Sequence, residues 1–241
     1  MADQTRANKH RSRMIVCLAI VFAVVIVLGG VGWRLMTPAS SASTSTVVTV
    51  PASSSFDLAS SLLSGSPPTL GSPSAPVTIV EFGDYQCPTC GAWYHSQEAL
   101  LIQNLVDTGR AKLVWRDFDY FGPDSVSASE AAYAAREQGK FWQFHDLLFQ
   151  SQQTPNNGWA SRQNMETFAR QLGLNMTEFD QSFNSGKYDS LINANHNLGI
   201  QAGVTGTPTF FLIGPNGKMI TIAGGQPESV FERAVTSLTS G

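Results

Sequence analysis

The sequence predicts an α/β fold, a sheet carrying a helical insertion, reached from one N-terminal apolar span through a tether. Three observations carry that expectation. A Cys-x-x-Cys pair, Cys87 and Cys90, stands where an apolar β-branched run gives way to a helical pattern. Roughly eighty residues of mostly helical periodicity then separate early strand-like segments from late ones. An uncharged apolar run, residues 14–33, follows a basic N-terminus.

The chain has 241 residues, enough for one substantial domain and additional segments. Its net charge is −3, and no Lys/Arg-rich patch stands out beyond the N-terminus, which argues against nucleic acid as a partner. It has 3 cysteines, and Cys17 lies in the apolar run. One tight pair remains, so the chain is not a disulfide scaffold.

Residues 1–13 form a basic segment, with Arg6, Lys9, Arg11 and Arg13 against Asp3. Residues 14–33 are long enough to cross a bilayer as a helix. After Arg34 the next charge is Asp57, so the positive-inside bias leaves the N-terminus cytoplasmic and the rest outside. A cleaved signal peptide, with Ser40-Ser41-Ala42 near the cut, would give a secreted domain instead. The retained anchor is favoured, because the run exceeds a usual signal core and Trp33-Arg34-Leu35-Met36 separates it from that point. Val16 before Cys17 argues against a lipoprotein. Either export route leads to an oxidising compartment, where a disulfide can persist.

Residues 34–75 are rich in Ser, Thr, Pro and Ala and read as a flexible linker, interrupted by a short helix that the spacing of Phe56, Ala59, Leu62 and Leu63 predicts. The domain is placed at 76–241. Val77 to Phe82 reads as a buried strand between Pro76 and Gly83. A helix follows the cysteines, with Trp93, Leu100, Leu101 and Leu105 as its apolar face and Gly109 as its stop. Leu113-Val114-Trp115 starts a second strand. An insertion over about 122–203 is helical: Ala128 to Gln138, a segment around Phe141 to Leu148, Ser161 to Leu172, and two more up to Gln201. Pro208 to Ile213 and Lys218 to Ala223 read as a hairpin, with Asn216-Gly217 supplying positive φ angles. Pro227-Glu228 opens a terminal helix.

A cysteine between a strand end and a helix start lies over unpaired backbone N–H groups and the positive end of the helix dipole. Both favour the thiolate, so Cys87 is the expected nucleophile. Cys90, one turn later, is the resolving thiol. Pro88 fits the first helical turn because it has no N–H to lose, and Thr89 turns its backbone N–H toward the sulfur. A structural zinc site needs about four ligands. His95 could join the pair, but His145 and His196 fall in separate helical patterns without ligand spacing, and no metal is expected. A purely structural disulfide closing so tight a loop would stabilise little. Glu81 within the apolar strand is either an edge residue facing solvent or a buried acid. Arg116 is either its ion-pair partner or a solvated strand end. Trp142, Phe141 and Phe144 read as core of the insertion, and His145 as a packing or capping residue. Tyr85, Trp93 and Tyr94 are placed at the rim of the active cysteine.

Three ordered motifs now bear on the family. They are Ala75 to Cys90, Gly139-Lys140-Phe141-Trp142-Gln143-Phe144-His145, and Gly203-Val204-Thr205-Gly206-Thr207-Pro208-Thr209-Phe210. With them the chain resembles the thioredoxin superfamily from about Leu70 to the C-terminus, specifically DsbA-like thiol-disulfide oxidoreductases tethered outside the cytoplasmic membrane. The resemblance implies a thioredoxin-like fold with an inserted helical domain. It implies a cis Pro208 beside the active disulfide, with Thr207 exposing its backbone to an extended substrate. It also implies that Glu81 lies beneath the cysteines and moves the proton of Cys90. Catalytic roles thus fall to Cys87, Cys90, Pro208, Thr207 and Glu81, and substrate contacts to Pro88, Thr89, Thr207 and Tyr85. Such a protein, expected to be a monomer without a cofactor, would oxidise exported proteins with reduced cysteines. A membrane quinone-linked partner would reoxidise it. An isomerase or reductase on the same scaffold, or a chaperone using the cleft, are the alternatives; residues 34–75 are too poor in apolar residues for the dimerisation domain that the related isomerases carry.

Overall fold

The computed structural model describes residues 48–50 and 52–240, with side chains from Leu58 onward. The expected span 14–33 lies outside the described residues. Among the described residues no helix is long and apolar enough to cross a membrane.

The strands are β1 (Val48–Val50), β2 (Thr69–Leu70), β3 (Val77–Gly83), β4 (Ala111–Asp117), β5 (Thr209–Ile213) and β6 (Met219–Ala223). They form a 6-stranded sheet in the order β1-β6-β5-β3-β4-β2. The β-branched run 77–80 occupies the middle, and every residue of β3 is buried. It pairs in parallel with β4, Glu81 opposite Trp115, and antiparallel with β5, Glu81 opposite Phe210.

Strand alternation divides β3 between two cores. Val77 and Ile79 pack with Leu113, Phe210 and Leu212 under Trp93, Leu101 and Leu105. Val80 and Phe82 pack with Val114 and Phe211 on the other face. The cysteine-bearing helical rod covers the first of these faces. It runs from α2 (Pro88–Trp93) through a π turn (Tyr94–Glu98) and α3 (Ala99–Leu101) into a second π turn (Ile102–Val106).

The helical insertion comprises α4 (Pro123–Arg136), α5 (Phe141–Gln150), α6 (Arg162–Gln171), α7 (Met176–Phe183) and α8 (Asp189–Gln201). Phe141 and Phe144 are buried in its core with Trp142 packed against them. The chain then returns to β5, β6 and α9 (Glu228–Thr239).

Two expectations change. The stretch expected as a linker up to residue 75 contributes to the fold. β1 pairs with β6 and β2 with β4, while α1 (Ala52–Leu63) sets Ala59 and Leu62 against Val80 and Phe82. These short segments have no core of their own and gain order from sheet edges and an apolar face that lie far away in sequence. In the β5–β6 turn only Gly217 takes a positive φ, +74°, and Asn216 does not. Asn216 Oδ1 instead accepts the Lys218 N–H at 3.2 Å, fixing the turn through its side chain.

Candidate active site

β3 ends at Gly83, and α2 begins at Pro88. Gly83 is required there, since a Cβ would stand 2.2 Å from the Trp115 ring. Cys87 is the N-cap, with φ −69° and ψ 118°, so its side chain projects at the open end of the helix. Pro88 and Thr89 beside it are exposed. Cys87 and Cys90 are both free thiols, with 5% and 1% of their surface exposed. The outer one, Cys87, is the sulfur a second protein can reach.

The peptide bond Thr207-Pro208 is cis, and the Cys87 thiol points at the Thr207 carbonyl, 3.3 Å away. The loop before β5 and the start of α2 therefore meet at the reactive sulfur. The ionisation of that sulfur is set by its donors. The Cys90 thiol, the Thr207 hydroxyl and the backbone N–H groups of Cys90 and Thr89 outweigh desolvation and lower Cys87 from 9.0 to about 6. Burial pushes Cys90 the other way, well above the ordinary thiol range, and its donation to Cys87 adds to this. The pair thus holds one thiolate and one thiol near neutral pH.

Glu81 is buried, 2% exposed, on a central strand and not at an edge. By alternation it shares the face of Val77 and Ile79, the side that the cysteine rod covers. Burial, then the carboxylates and thiolate of Glu98 and Cys87, raises its pKa well above the usual carboxylate value. One of its oxygens, Oε2, has no hydrogen-bond partner. Arg116 does not pair with it. That guanidinium donates to the carbonyls of Leu62 and Ser64 and, at 2.7 Å, to Asn195 Oδ1. It closes the C-terminal end of α1, where helix carbonyls lack partners.

Tyr85 and Trp93 do not line a rim. Tyr85 is 0% exposed, stacked on Trp115 at 4.8 Å, so the expected substrate contact is a core contact. Trp93 is buried, and its indole N–H donates to the Gln226 carbonyl. Tyr85 is held between Trp115 of the sheet and Phe149 of the insertion, and Trp93 packs the cysteine helix on Phe210 of the sheet. Tyr94 remains half-buried.

Several residues that sequence reasoning passed over hold the Cys87 loop. The Asp84 carboxylate accepts from the backbone of Gln86, Tyr120 and Phe121 and from Ser125 Oγ, at 2.7, 2.7, 3.1 and 2.8 Å. Gln152 Nε2 donates to the carbonyls of Tyr85 and Cys87 at 2.7 and 2.9 Å. Gln86 bonds Ser125 and Asn156. Together they tie the loop before α2 to the insertion. The Gly83-Asp84 pair at a strand end is a local signal for Asp84. Gln152 has none, because its partners lie 65 and 67 positions away.

Residues 64–223 match the family profile for thioredoxin. The chain belongs to the thioredoxin family. Within that class the fold and the cysteine pair are those of a DsbA-like thiol-disulfide oxidoreductase. A probable disulfide bond formation protein D of Bacillus anthracis is 27% identical over 151 residues, 61% of this chain and 69% of that protein. The Na(+)/H(+) antiporter NhaA 3 of Salinispora tropica is 34% identical over 146 residues, 60% of this chain but 21% of that protein. The chain thus spans about a fifth of the antiporter's length. The crystal structure of Wolbachia pipientis α-DsbA1 superposes with a TM-score of 0.65 at 21% identity, covering 72% of this chain and 91% of that one.

Proposed function

We propose that this chain is an oxidase, tethered to the cell membrane by residues 14–33, that donates the Cys87–Cys90 disulfide to exported proteins with reduced cysteines. The observation that carries the direction is the set of donors at Cys87, the Cys90 thiol, the Thr207 hydroxyl and two backbone N–H groups, which lowers its pKa to about 6. A site that stabilises the Cys87 thiolate stabilises the reduced pair, and its disulfide is correspondingly a stronger oxidant.

A substrate thiolate attacks Cys87 Sγ, forming a mixed disulfide and breaking the Cys87–Cys90 bond. The Cys90 sulfur leaves with the electron pair and takes a proton, for which the buried Glu81 carboxyl is the nearby store. Burial raises its pKa well above the usual carboxylate value, which favours the protonated, donating form. A second substrate thiolate then attacks the substrate sulfur, and Cys87 departs as a thiolate held by the α2 amides. The substrate gains a disulfide, and the pair takes up two electrons. The Thr207 carbonyl, at the sulfur, offers an acceptor to the backbone N–H of an extended substrate. Electrons then pass to a membrane quinone-linked reoxidase.

The test is the reduction potential, measured against glutathione, together with oxidation of a reduced two-cysteine peptide. A potential more positive than about −180 mV, with stoichiometric peptide oxidation, supports the oxidase. A potential below about −230 mV would make the chain a reductase. Protease treatment of intact cells should remove the catalytic domain and spare residues 1–13.

A further inference from the structure

Away from the cysteines, one cluster of three ionisable groups contains two buried side chains whose polar atoms lack hydrogen-bond partners. Glu98 closes the first π turn of the cysteine rod, and His145 and Asp146 lie on α5 of the insertion. Oxygen and nitrogen atoms of the three lie within 4.8 Å of one another. His145 is 0% exposed and Glu98 2%. His145 Nε2 and both Glu98 carboxylate oxygens have no hydrogen-bond partner. Buried polar atoms are nearly always paired, and buried charges are paired or hold metals.

From these groups we infer a binding site for a borderline divalent cation of the zinc type. The separation of His145 Nε2 from Glu98 Oε1 is 3.4 Å. That is too long for a charge-assisted hydrogen bond, which closes to about 2.7–2.9 Å. It is the separation of two donors that each lie about 2.0–2.1 Å from one tetrahedral ion, whose edge is then ~3.3 Å. One imidazole with two carboxylates is a donor set that suits zinc.

The surroundings are those of a ligand set. His145 Nδ1 is 3.2 Å from the Tyr85 hydroxyl. If Nδ1 carries the proton and donates it there, Nε2 keeps its lone pair for a metal, as metal-bound histidines commonly arrange. Tyr94 bonds Asp146 and is held by Gln150 Nε2 at 3.2 Å. Glu98 and Asp146 border a cavity of about 360 Å³ that His95 also lines, leaving room for water or a second imidazole as the fourth ligand. The π turn, a form frequent at functional sites, brings Glu98 to this point. The inference does not depend on the thiol chemistry, since neither cysteine belongs to the site.

The experiment is calorimetric titration of the full-length chain in mild detergent with Zn²⁺. The chain is first oxidised to the Cys87–Cys90 disulfide, so that no thiolate of the pair competes. A saturable single equivalent is expected, weakened at least ~10-fold in Glu98→Gln and in Asp146→Asn and unchanged in Glu166→Gln. Circular dichroism checks that each variant is folded. Should both variants unfold, Co²⁺ added to the unaltered oxidised chain serves instead, with visible d–d bands that Zn²⁺ displaces. Absence of both heat and d–d bands overturns the site. Undiminished binding in folded Glu98→Gln and Asp146→Asn overturns it equally, by placing the ion elsewhere.

Discussion

Replacing Cys90 with alanine tests how the site ionises Cys87. In the unaltered protein the midpoint should lie at about 6, against 9.0 for an ordinary cysteine. At pH 7 a thiol with that midpoint is ~90% thiolate, whereas the ordinary one is ~1% thiolate. The reduced pair is then favoured about tenfold, which shifts a two-electron couple by ~30 mV. The Cys90 thiol is the largest contribution lowering Cys87, followed among the lowering groups by the Thr207 hydroxyl and two backbone N–H groups. Cys90→Ala removes the first and leaves the others, so the midpoint should rise above 6 and stop short of 9.0. The assay is thiolate ultraviolet absorbance against pH, paired with the alkylation rate of Cys87. The sign extends to stability. A folded-state pKa below the unfolded one gives the reduced protein stability that is full above about 9 and lost as pH falls through about 6. A midpoint near 9 in the unaltered protein would refute the account of the site. A Cys90→Ala midpoint still at 6 would refute Cys90 as the leading donor.

The reduction potential should fall by ~59 mV per pH unit below about pH 6 and by ~30 mV per unit above it, since only Cys90 then carries a proton; a single slope through pH 6, followed by redox titration, would contradict the split ionisation. Glu81→Gln should slow the opening of the disulfide by substrate thiols by ~10²-fold in stopped-flow measurements at neutral pH, because the proton store is gone. Because burial raises the Glu81 pKa, wild-type stability relative to Glu81→Gln is greatest below the unfolded carboxylate pKa and declines as pH rises, so thermal melts of the variant should lie higher at neutral pH. Gln152→Ala strips donors from the carbonyls of Tyr85 and Cys87 and should cost ~1–3 kcal/mol in urea unfolding. Gly91→Ala puts a Cβ 1.9 Å from Gln152 Oε1, so its cost in the same assay should shrink when combined with Gln152→Ala.

Most of the fold was legible because its signals are local. The β-branched run 77–80, the glycine stop at Gly109 and the helical periodicity of the insertion each lie within one window of sequence. What failed was non-local. Val48–Val50 and Thr69–Leu70 are too short to be read as strands, and only the free edges of β6 and β4 make them so. Tyr85 was misplaced at the rim, because an aromatic beside a cysteine gives no sign of whether it faces a groove or Trp115. For Arg116, charge alone offers a pairing with Glu81 or a solvated strand end, whereas the helix end at Leu62 claims it.

By itself the sequence determined the chemistry: a Cys-x-x-Cys pair at a strand–helix junction and a thioredoxin-like order of elements. A thiolate over a helix N-terminus follows from chain order, since strand and helix are consecutive. Only the tertiary structure decided what lies beneath and beside that pair. It buried Glu81 on a central strand and gave Gln152 and Asp84 their hold on the active loop. It also carried His145 from a separate helix to Glu98. Those encounters depend on the packing of the insertion against the cysteine rod. Contacts between segments so far apart leave no period, cap or turn in the chain to announce them.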